Sequence, residues 1–485
     1  MSRRTLLRVP IGMVLLLCGM AQPSSSASAP TALVVRDREA GRHTLPAKPP
    51  LQADTAMEPS LAVNSKDPLH AVSVFMAGRS EAGCAQAIGY TVTRDGGQTW
   101  TSGNLPGVTL STGGTYPRAQ DPVVAFGPDQ IVYAISMLCT DESQNDLGLS
   151  VSRNGGRTWE EMKPLPPDKT FPLDDKPWIT VDNGTSPGHH KGRLYLVWDQ
   201  VDPVVALYTD DGGETWHGPS VVFPGVGIGA LPIVLPNGDL AVVFKAFYVT
   251  EQTATLYMMA VAPGAGSLPT GAPLVFEPAT LIARDQGTEQ IREQRAAGFV
   301  PTAAVDQNTG RIYVAWIDGR FRSDGANDIV LSYSDDGVQW SEPVRVNPGP
   351  TDNYVDHFAP WLAVDPEGSL RVAYRTQQEA ESPSDYVPFV DTWYVESHDA
   401  GATFTRPLRI NRHVRTDVRF AAKAQSRAFF GEYNQIAVAG SWTYVPRAEA
   451  FPLTAKERRG AIFPPLVHHQ RIWVAVVDRD GDKRP

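Results

Sequence analysis

The chain has 485 residues, of which 42% are hydrophobic and 20% are charged, with 42 Gly, 41 Pro and a formal net charge of −10. This is the composition of a turn-rich globular protein. The negative balance excludes the basic footprint of non-specific nucleic-acid binding. We expect no nucleic-acid partner, no membrane span in the mature chain and a monomer.

Residues 1–29 have the features of an export signal. An arginine-rich start, residues 2–8, precedes an apolar run, residues 11–20, that is too short to span a bilayer. The start is similar to a twin-arginine export motif, and the residue before Cys18 is larger than the small residue of a lipoprotein signal. We therefore predict a secreted or periplasmic protein without a lipid anchor.

The remaining chain divides into three segments. Residues 30–55 are rich in Pro and charge, and we predict a leader that holds one short strand candidate at residues 32–35. Residues 56–478 show short runs of β-branched and aromatic residues without long helical periodicity, which predicts a single all-β domain. Residues 479–485 are predicted to be a polar tail.

An eight-residue pattern with the frame S/T-x-D-x-G-x-T-W recurs along the predicted domain. Its copies lie at residues 93–100, 152–159, 209–216, 333–340 and 397–404, and the last two are degenerate. The Asp can accept hydrogen bonds from backbone N–H groups of its own turn, the Gly allows a positive φ, and the Trp can pack over the turn. Each copy therefore predicts a tight β-hairpin turn with a structural Asp.

Pairs of apolar strands accompany this pattern. We count seven such pairs, whose first strands begin near residues 59, 122, 177, 231, 301, 360 and 433. The fourth and last units have no copy of the pattern, and residues 32–35 are predicted to supply the missing strand of the last unit. This closes a ring and removes open sheet edges.

The recurring frame is that of the Asp-box, or bacterial neuraminidase (BNR), repeat. From about residue 56 to residue 478 the chain resembles the sialidase-like β-propeller superfamily. The resemblance implies a propeller of four-stranded blades, and propellers have 4–8 of them. The count of strand pairs favours seven blades, and six, the number in catalytic sialidase domains, is left open.

The resemblance also implies a chemistry. Sialidases bind the carboxylate of their sugar with three arginines, and they use a Tyr nucleophile activated by a Glu together with an acid/base Asp. The family Tyr opens the last blade, and Tyr433 is the match here. Glu289 or Glu293 is the implied partner, and Glu81 stands in for the Asp, which this chain lacks. The partner is needed because a phenol, with a pKa of about 10, is a poor nucleophile at neutral pH.

Arginine suits a carboxylated sugar because it grips a carboxylate with two parallel hydrogen bonds and stays charged. Propeller topology places a polar set of residues on the face opposite the Asp boxes. Its candidate substrate-binding arginines are Arg79, Arg118, Arg295, Arg320 and Arg375. The chain departs from the family at the first blade, where the family's Arg-Ile-Pro is Met57-Glu58-Pro59.

We therefore predict a sialidase-like exo-glycosidase that removes terminal acidic sugars from glycans. The alternative is a non-catalytic propeller that binds glycan or protein with the same face, and the departure at residues 57–59 favours it. No cofactor or metal is expected, since the His pairs at residues 189–190 and 468–469 lack complementary Cys or acidic spacing. Because an exported protein can oxidise its thiols, Cys84 and Cys139 are predicted to form a disulfide.

Overall fold

The computed structural model describes residues 33–140, 145–165, 175–199, 202–247, 255–287, 291, 293–295, 300–378, 387–452 and 468–479. In these residues strands dominate. The helical residues form short 3-10 turns at Leu110–Thr112, Pro128–Gln130, Ala265–Ser267 and Val418–Phe420. Within these ranges, no helix has both the length and the apolar character needed to cross a membrane.

The strands form antiparallel groups of four that follow one another along the chain. The chain begins with β1 (Val34–Gly41). The first group is β2 (Ala56–Asn64), β3 (Asp67–Arg79), β4 (Ala85–Thr93) and β5 (Thr101–Asn104). The second is β6 (Arg118–Phe126), β7 (Val132–Cys139), β8 (Asn145–Ser152) and β9 (Lys163–Pro164). The third is β10 (Asp175–Val181), β11 (Leu194–Asp199), β12 (Val204–Thr209) and β13 (His217–Phe223).

The later groups repeat this order. The fourth is β14 (Gly227–Val234), β15 (Leu240–Ala246), β16 (Leu256–Ala262) and β17 (Thr280–Arg284). The fifth is β18 (Thr302–Val305), β19 (Ile312–Asp318), β20 (Asp328–Ser334) and β21 (Val344–Arg345). The sixth is β22 (Val355–Val364), β23 (Leu370–Gln378), β24 (Phe389–Ser397) and β25 (Leu408–Arg409), with β26 (Thr416–Asp417) also on β24. A hairpin of β27 (Lys423–Ala424) and β28 (Arg427–Ala428) precedes the seventh group, which is β29 (Ala437–Ala439), β30 (Trp442–Ala450), β31 (Gln470–Asp478) and β1.

The groups form a ring. The first strand of each group contacts the first strand of the next, from β2 through β6, β10, β14, β18 and β22 to β29, and β29 contacts β2. First strands around a common axis, with fourth strands outside, are the arrangement of a β-propeller. The predicted all-β propeller fold is confirmed. The strands of the described residues fall into seven such groups, but the pairing of Ala85 with Ala119 joins the first two groups into one eight-stranded sheet, and the predicted blade count stays a prediction.

The two ends of the chain close the ring. β1 pairs antiparallel with β31, so that Val35 is opposite Val477 and Asp37 is opposite Ala475. The N-terminal segment thus supplies the missing strand of the last group, as predicted. The strand is longer than predicted, however, and the part of the predicted leader up to Gly41 belongs to the sheet because its backbone pairs with β31.

The Asp boxes form turns between third and fourth strands. Asp95 Oδ1 accepts hydrogen bonds from Thr99 N at 2.9 Å and from Thr93 Oγ1 at 2.8 Å. Gly97 has a φ of 79°, and a Cβ there would lie 2.6 Å from Val476 of the seventh group. The equivalent side chains that accept backbone bonds within their own turns are Asn154, Asp211, Asp336 and Asp399. The boxes thus close their own turns and have a structural role, as predicted.

Cys84 and Cys139 form a disulfide, as predicted, with their Cα atoms 6.6 Å apart. Cys84 lies directly before β4 in the first group, and Cys139 ends β7 in the second. The bond therefore joins two consecutive groups on the face opposite the Asp boxes.

Candidate functional site

The first strands begin with a β-bulge. Glu58, Asp121 and Lys176 each precede a proline near the start of β2, β6 and β10, and their φ angles are 52°, 50° and 44°. The pairing with the second strand shifts register at each of these positions. A positive φ in a residue with a side chain costs about 1–3 kcal/mol, and it persists only where the surrounding structure holds it. Gly229 and Ala359 also have positive φ near the starts of β14 and β22. The bulge therefore occurs in other groups without a charged residue, and the three charges are a separate feature of the first three groups.

Four charged side chains converge where the first strands meet, and we name Glu58, Asp121, Lys176 and Glu432 the axial cluster. Their exposed fractions are 1%, 5%, 9% and 3%. Lys176 Nζ pairs with the Glu432 carboxylate, and Glu432 N donates to Glu58 Oε1 at 3.1 Å. The Asp121 carboxyl lies near enough to Glu58 for each of the two to raise or lower the pKa of the other. Lys176, Glu432 and Glu58 are therefore connected through direct contacts, and Asp121 adjoins them.

The contact between Glu58 and Asp121 requires a proton. Glu58 Oε2 and Asp121 Oδ2 are buried without a hydrogen-bond donor among the described residues. Two ionised carboxylates would repel, whereas one proton between them supplies the missing donor. Burial and the charge of Glu432 raise the pKa of Glu58, and burial and the charge of Glu58 raise the pKa of Asp121 well above its usual range. We infer that the pair holds one proton at neutral pH.

Lys176 offsets the negative charge of the axial cluster. Burial lowers the pKa of Lys176, but the carboxylates of Asp175 and Glu432 outweigh burial, and the pKa is raised well above its usual range. Asp199 is opposite Asp175 in the β10–β11 register, and burial together with the Asp175 charge raises the pKa of Asp199 well above its usual range. The Lys176 ammonium thus offsets part of the charge of these carboxylates. The described residues contain no group of three or more His, Cys, Asp or Glu that could hold a metal ion.

Two arginines border the axial cluster. Arg79 ends β3 and Arg295 lies before β18, and their guanidinium carbons are 4.4 Å and 5.3 Å from the centre of the Phe429 ring. Arg295 Nη1 also donates to Glu432 Oε1 at 3.3 Å. The structure therefore brings together two of the five predicted substrate-binding arginines.

Two of the other three predicted arginines are held by acceptors outside the axial cluster. Arg320 donates to its neighbour Asp318 from Nε at 2.9 Å and from Nη2 at 2.8 Å. Arg375 is buried and donates to the Ala448 carbonyl, and Arg118 opens β6 and is half-buried. The five predicted arginines therefore do not form a triad, because nearer acceptors hold Arg320 and Arg375.

Tyr433 lies beside the axial cluster, but its hydroxyl is not presented to solvent. The residue is 3% exposed, its hydroxyl donates to Pro122 O at 3.1 Å, and its ring packs edge-on against Trp178 with centroids 5.2 Å apart. Burial raises the pKa of Tyr433 well above its usual range, which opposes formation of a phenolate nucleophile. The ring of Tyr433 is thus packed into the core beside the axis, and its role as nucleophile stays a prediction that this burial opposes.

Of the carboxyls predicted to take part in catalysis with Tyr433, two are exposed and one is outside the described residues. Glu293 is exposed, and Glu81 is exposed and accepts a hydrogen bond from Ser426 N at 2.9 Å. Glu289 lies outside the described residues. The carboxyls whose charges raise the Tyr433 pKa are those of Glu58, Asp121, Glu432 and Asp175.

Residues 416–431, which we name the cap segment, lie across the end of the axis that holds the cluster. Lys423 and Gln52 exchange two hydrogen bonds of 2.7 Å on the side of the first group. Ala428 N donates to Glu293 O at 2.8 Å, in the connection that leads to the fifth group. The cap segment thus contacts both the residues before the first group and the connection before the fifth group. The axial cluster is buried in this structure, with exposed fractions of 9% or less.

The sequence-based prediction does not include the axial cluster as a unit. A signal for it exists in the sequence, because a charged residue stands directly before a proline in the first three units, as Glu58-Pro59, Asp121-Pro122 and Lys176-Pro177. A position that recurs in successive repeats of a ring points to the same place, so these three charges meet. Glu432 carries no such signal, since no proline follows it.

The BNR/Asp-box repeat model matches residues 207–217, which fall on the third copy of the eight-residue pattern. The chain carries BNR/Asp-box repeats. The match confirms the predicted resemblance to the sialidase-like propeller superfamily in its Asp-box repeat. No curated protein matches the sequence.

Several solved structures are similar to this chain in their fold. A protein of unknown function from Dyadobacter fermentans has 11% identity and a TM-score of 0.46, with 91% of this chain and 99% of that chain covered. An α-L-arabinanase of Penicillium chrysogenum, complexed with arabinobiose, has 13% identity and a TM-score of 0.44, with 76% and 96% covered. An intramolecular trans-sialidase from Ruminococcus gnavus, in complex with oseltamivir carboxylate, has 11% identity and a TM-score of 0.43, with 67% and 90% covered. At these scores none of the likenesses bears on substrate or mechanism.

Proposed function

We propose that the protein is an exported glycoside hydrolase whose acid and base are carboxyls of the axial cluster. The observation that carries the proposal is the different surroundings of these buried carboxyls. Burial and neighbouring carboxylates raise the pKa of both Glu58 and Asp121, whereas Glu432 is ion-paired with Lys176 and Arg295. Hydrolysis of a glycosidic bond uses one protonated carboxyl for the leaving oxygen and one ionised carboxyl as base or nucleophile. We assign the acid to the Glu58–Asp121 pair and the base or nucleophile to Glu432.

The substrate class that we propose is a glycan with a terminal acidic sugar. Arg79 and Arg295 meet at Phe429 beside Glu432, and guanidinium groups are the donors suited to a sugar carboxylate. The proposal requires the cap segment to open so that a sugar can reach the axial cluster. Export is supported by the predicted signal at residues 1–29 and by the disulfide, since disulfides persist in oxidising compartments.

Hydrolysis of aryl glycosides tests this function. Purified protein is assayed with an aryl α-sialoside, an aryl α-L-arabinofuranoside and neutral aryl glycosides, and we expect release from the sialoside. Glu432→Gln should lower kcat by about 10²–10⁴-fold, the usual contribution of a positioned acid or base. Glu342→Gln changes an exposed carboxyl of the fifth group and should leave kcat unchanged. Because Glu432→Gln also removes a partner of Lys176, its folding is checked by denaturant unfolding.

Two results would overturn this function. They are the absence of turnover by the wild type on every glycoside, and undiminished turnover by a folded Glu432→Gln protein. Release from a neutral glycoside alone would retain the hydrolase and reject the acidic sugar.

A second candidate function is non-catalytic binding of a glycan or protein by the same face. It is favoured by the burial of the axial cluster under the cap segment, which gives the cluster the form of a structural ion network. The probe is a sialylated glycoprotein before and after removal of its sialic acids. Binding that persists without turnover would assign the protein to this second class.

A further inference from the structure

The Asp box of the fifth group is one residue shorter than the boxes of the first three groups. Each of those three has two successive glycines after the residue that closes the turn, as Gly96 and Gly97 in the first group. The fifth group has a single one, Gly337. Gly337 N donates to Ser334 Oγ at 2.8 Å, as Gly97 N donates to Thr93 Oγ1 at 2.9 Å. Gly337 therefore takes the place of the second glycine, and the first is missing.

In the longer boxes the first glycine fills space between two neighbouring groups. A Cβ on Gly96 would lie 2.5 Å from the ring of Trp442 in the seventh group. A Cβ on Gly155 would lie 2.3 Å from the ring of His70 in the first group. The backbone of Gly96 also donates to Leu69 O at 3.0 Å. The fifth group has no residue at this place, and a groove remains between it and the fourth group.

We name this opening the box-face groove. Its lining residues lie within residues 235–239, 259–263 and 277–280 of the fourth group and residues 308–312 and 335–338 of the fifth. Its volume is about 430 Å³, within the range of about 300–1,000 Å³ that small-molecule sites have. Met259 and Ile312 give it buried apolar surface, and Val338 beside them is 64% exposed. An exposed apolar side chain next to a concave apolar surface is typical of a binding site.

Both walls of the box-face groove carry carboxylates. Asp239 and Glu277 belong to the wall of the fourth group, and Asp335 and Asp336 belong to the wall of the fifth. Arg311 donates to Asp335 from Nε at 2.6 Å and from Nη2 at 2.8 Å. Among the described residues that line the groove, none is Lys, Arg or His. Each wall therefore keeps negative charge that no lining residue offsets.

We propose that the box-face groove binds a linear aliphatic polyamine. The ammonium groups of such a molecule match carboxylates on two walls, and its methylene chain matches the apolar surface between them. A neutral ligand would cover the same apolar surface but leave the carboxylates without counter-ions. The groove lies among the Asp-box turns, on the face opposite the axial cluster. The inference is therefore independent of the proposed hydrolase function.

Isothermal titration calorimetry of the full protein tests the proposal. Spermidine and 1,5-diaminopentane are titrated at pH 7 and constant ionic strength, and 1,5-pentanediol and magnesium chloride serve as the neutral analogue and the compact dication. We expect saturable binding of both amines at one site per chain. The diol and magnesium should bind at least about ten-fold more weakly than spermidine, because each supplies only the chain or only the charge.

Three variants locate the binding. Insertion of one glycine between Asp336 and Gly337 restores the length of the longer boxes, so it should fill the groove and raise the Kd of spermidine by at least about ten-fold. Glu277→Gln removes one carboxylate of the groove and should raise this Kd by about two- to five-fold, as expected for an exposed ion pair. Glu367→Gln makes the same change of charge at an exposed residue that does not line the groove, so it should keep the wild-type Kd.

Several results would overturn the proposal. One is the absence of saturable binding of spermidine to the wild type. Another is equal weakening in Glu277→Gln and Glu367→Gln, which would show general attraction to an acidic surface. A third is an unchanged Kd in a folded glycine-insertion protein. A lysine-containing peptide that binds where spermidine does not would assign the groove to a protein partner instead. If the insertion protein does not fold, the comparison of the two Gln variants and the diol titration still decide the question.

Discussion

The proton shared by Glu58 and Asp121 predicts how stability depends on pH. Asp121→Asn replaces the acid by an amide of the same shape whose N–H can donate to Glu58 at every pH. In the wild type, burial and the Glu58 charge raise the pKa of Asp121 above its unfolded value, so the native state retains a proton that the unfolded chain loses. A raised carboxyl pKa contributes stability that is fully present below the unfolded pKa of about 4 and is lost as the pH rises toward the folded pKa.

The magnitude follows from one proton. Each pH unit in which the native state holds one more proton than the unfolded state lowers the free energy of unfolding by about 1.4 kcal/mol. From pH 5 to pH 6, we therefore expect the wild type to lose about 1.4 kcal/mol relative to Asp121→Asn. Other groups that titrate in this pH range contribute equally to the free energy of unfolding of both proteins, so their contributions cancel in the difference.

The assay is urea unfolding at constant ionic strength across pH 5–8, with the free energy taken from the midpoint and slope. Glu293→Gln is the control, because its carboxyl is exposed on the same face and its profile should run parallel to that of the wild type. If the free energies of unfolding of Asp121→Asn and the wild type also change in parallel with pH, Glu58 and Asp121 share no proton. The assignment of this pair as the acid of the proposed hydrolase would then be wrong.

Three further outcomes are expected. Tyr433→Phe removes the hydrogen bond to Pro122 and should lower the free energy of unfolding in urea by about 0.5–1.5 kcal/mol, while any glycosidase activity changes little. Full loss of turnover with unchanged stability would instead support Tyr433 as the nucleophile. Donation by the Thr403 hydroxyl and backbone N–H lowers the pKa of Asp399 to about 2, so this Asp box contributes stability that is present above about pH 4 and lost as the pH falls toward 2. Asp399→Asn should flatten acid unfolding in that range, and unchanged acid sensitivity would contradict it. Replacing Cys84 and Cys139 together by Ser should lower the unfolding free energy by about 2–4 kcal/mol, and a double variant as stable as the oxidised wild type would refute this.

Local sequence patterns were sufficient to predict the repeat, the fold class and the closing strand. These features follow from local chemistry, because an Asp box satisfies its bonds within a few residues, as Asp95 does with Thr93 and Thr99. The alternating apolar runs predicted the strands for a similar reason, since neighbouring side chains on a strand face opposite sides. The closing strand followed from counting strands, because a ring leaves no unpaired edge.

Only the tertiary structure decided which side chains meet at the axis. Glu58 and Glu432 share a hydrogen bond although 374 positions separate them, and nothing local to either residue indicates the other. Arginine shows the same limit, because Arg295 turns to Glu432 whereas Arg375 turns to a backbone carbonyl. A side chain bonds the acceptor that the closed ring brings nearest, and that distance depends on how all the strand groups pack together.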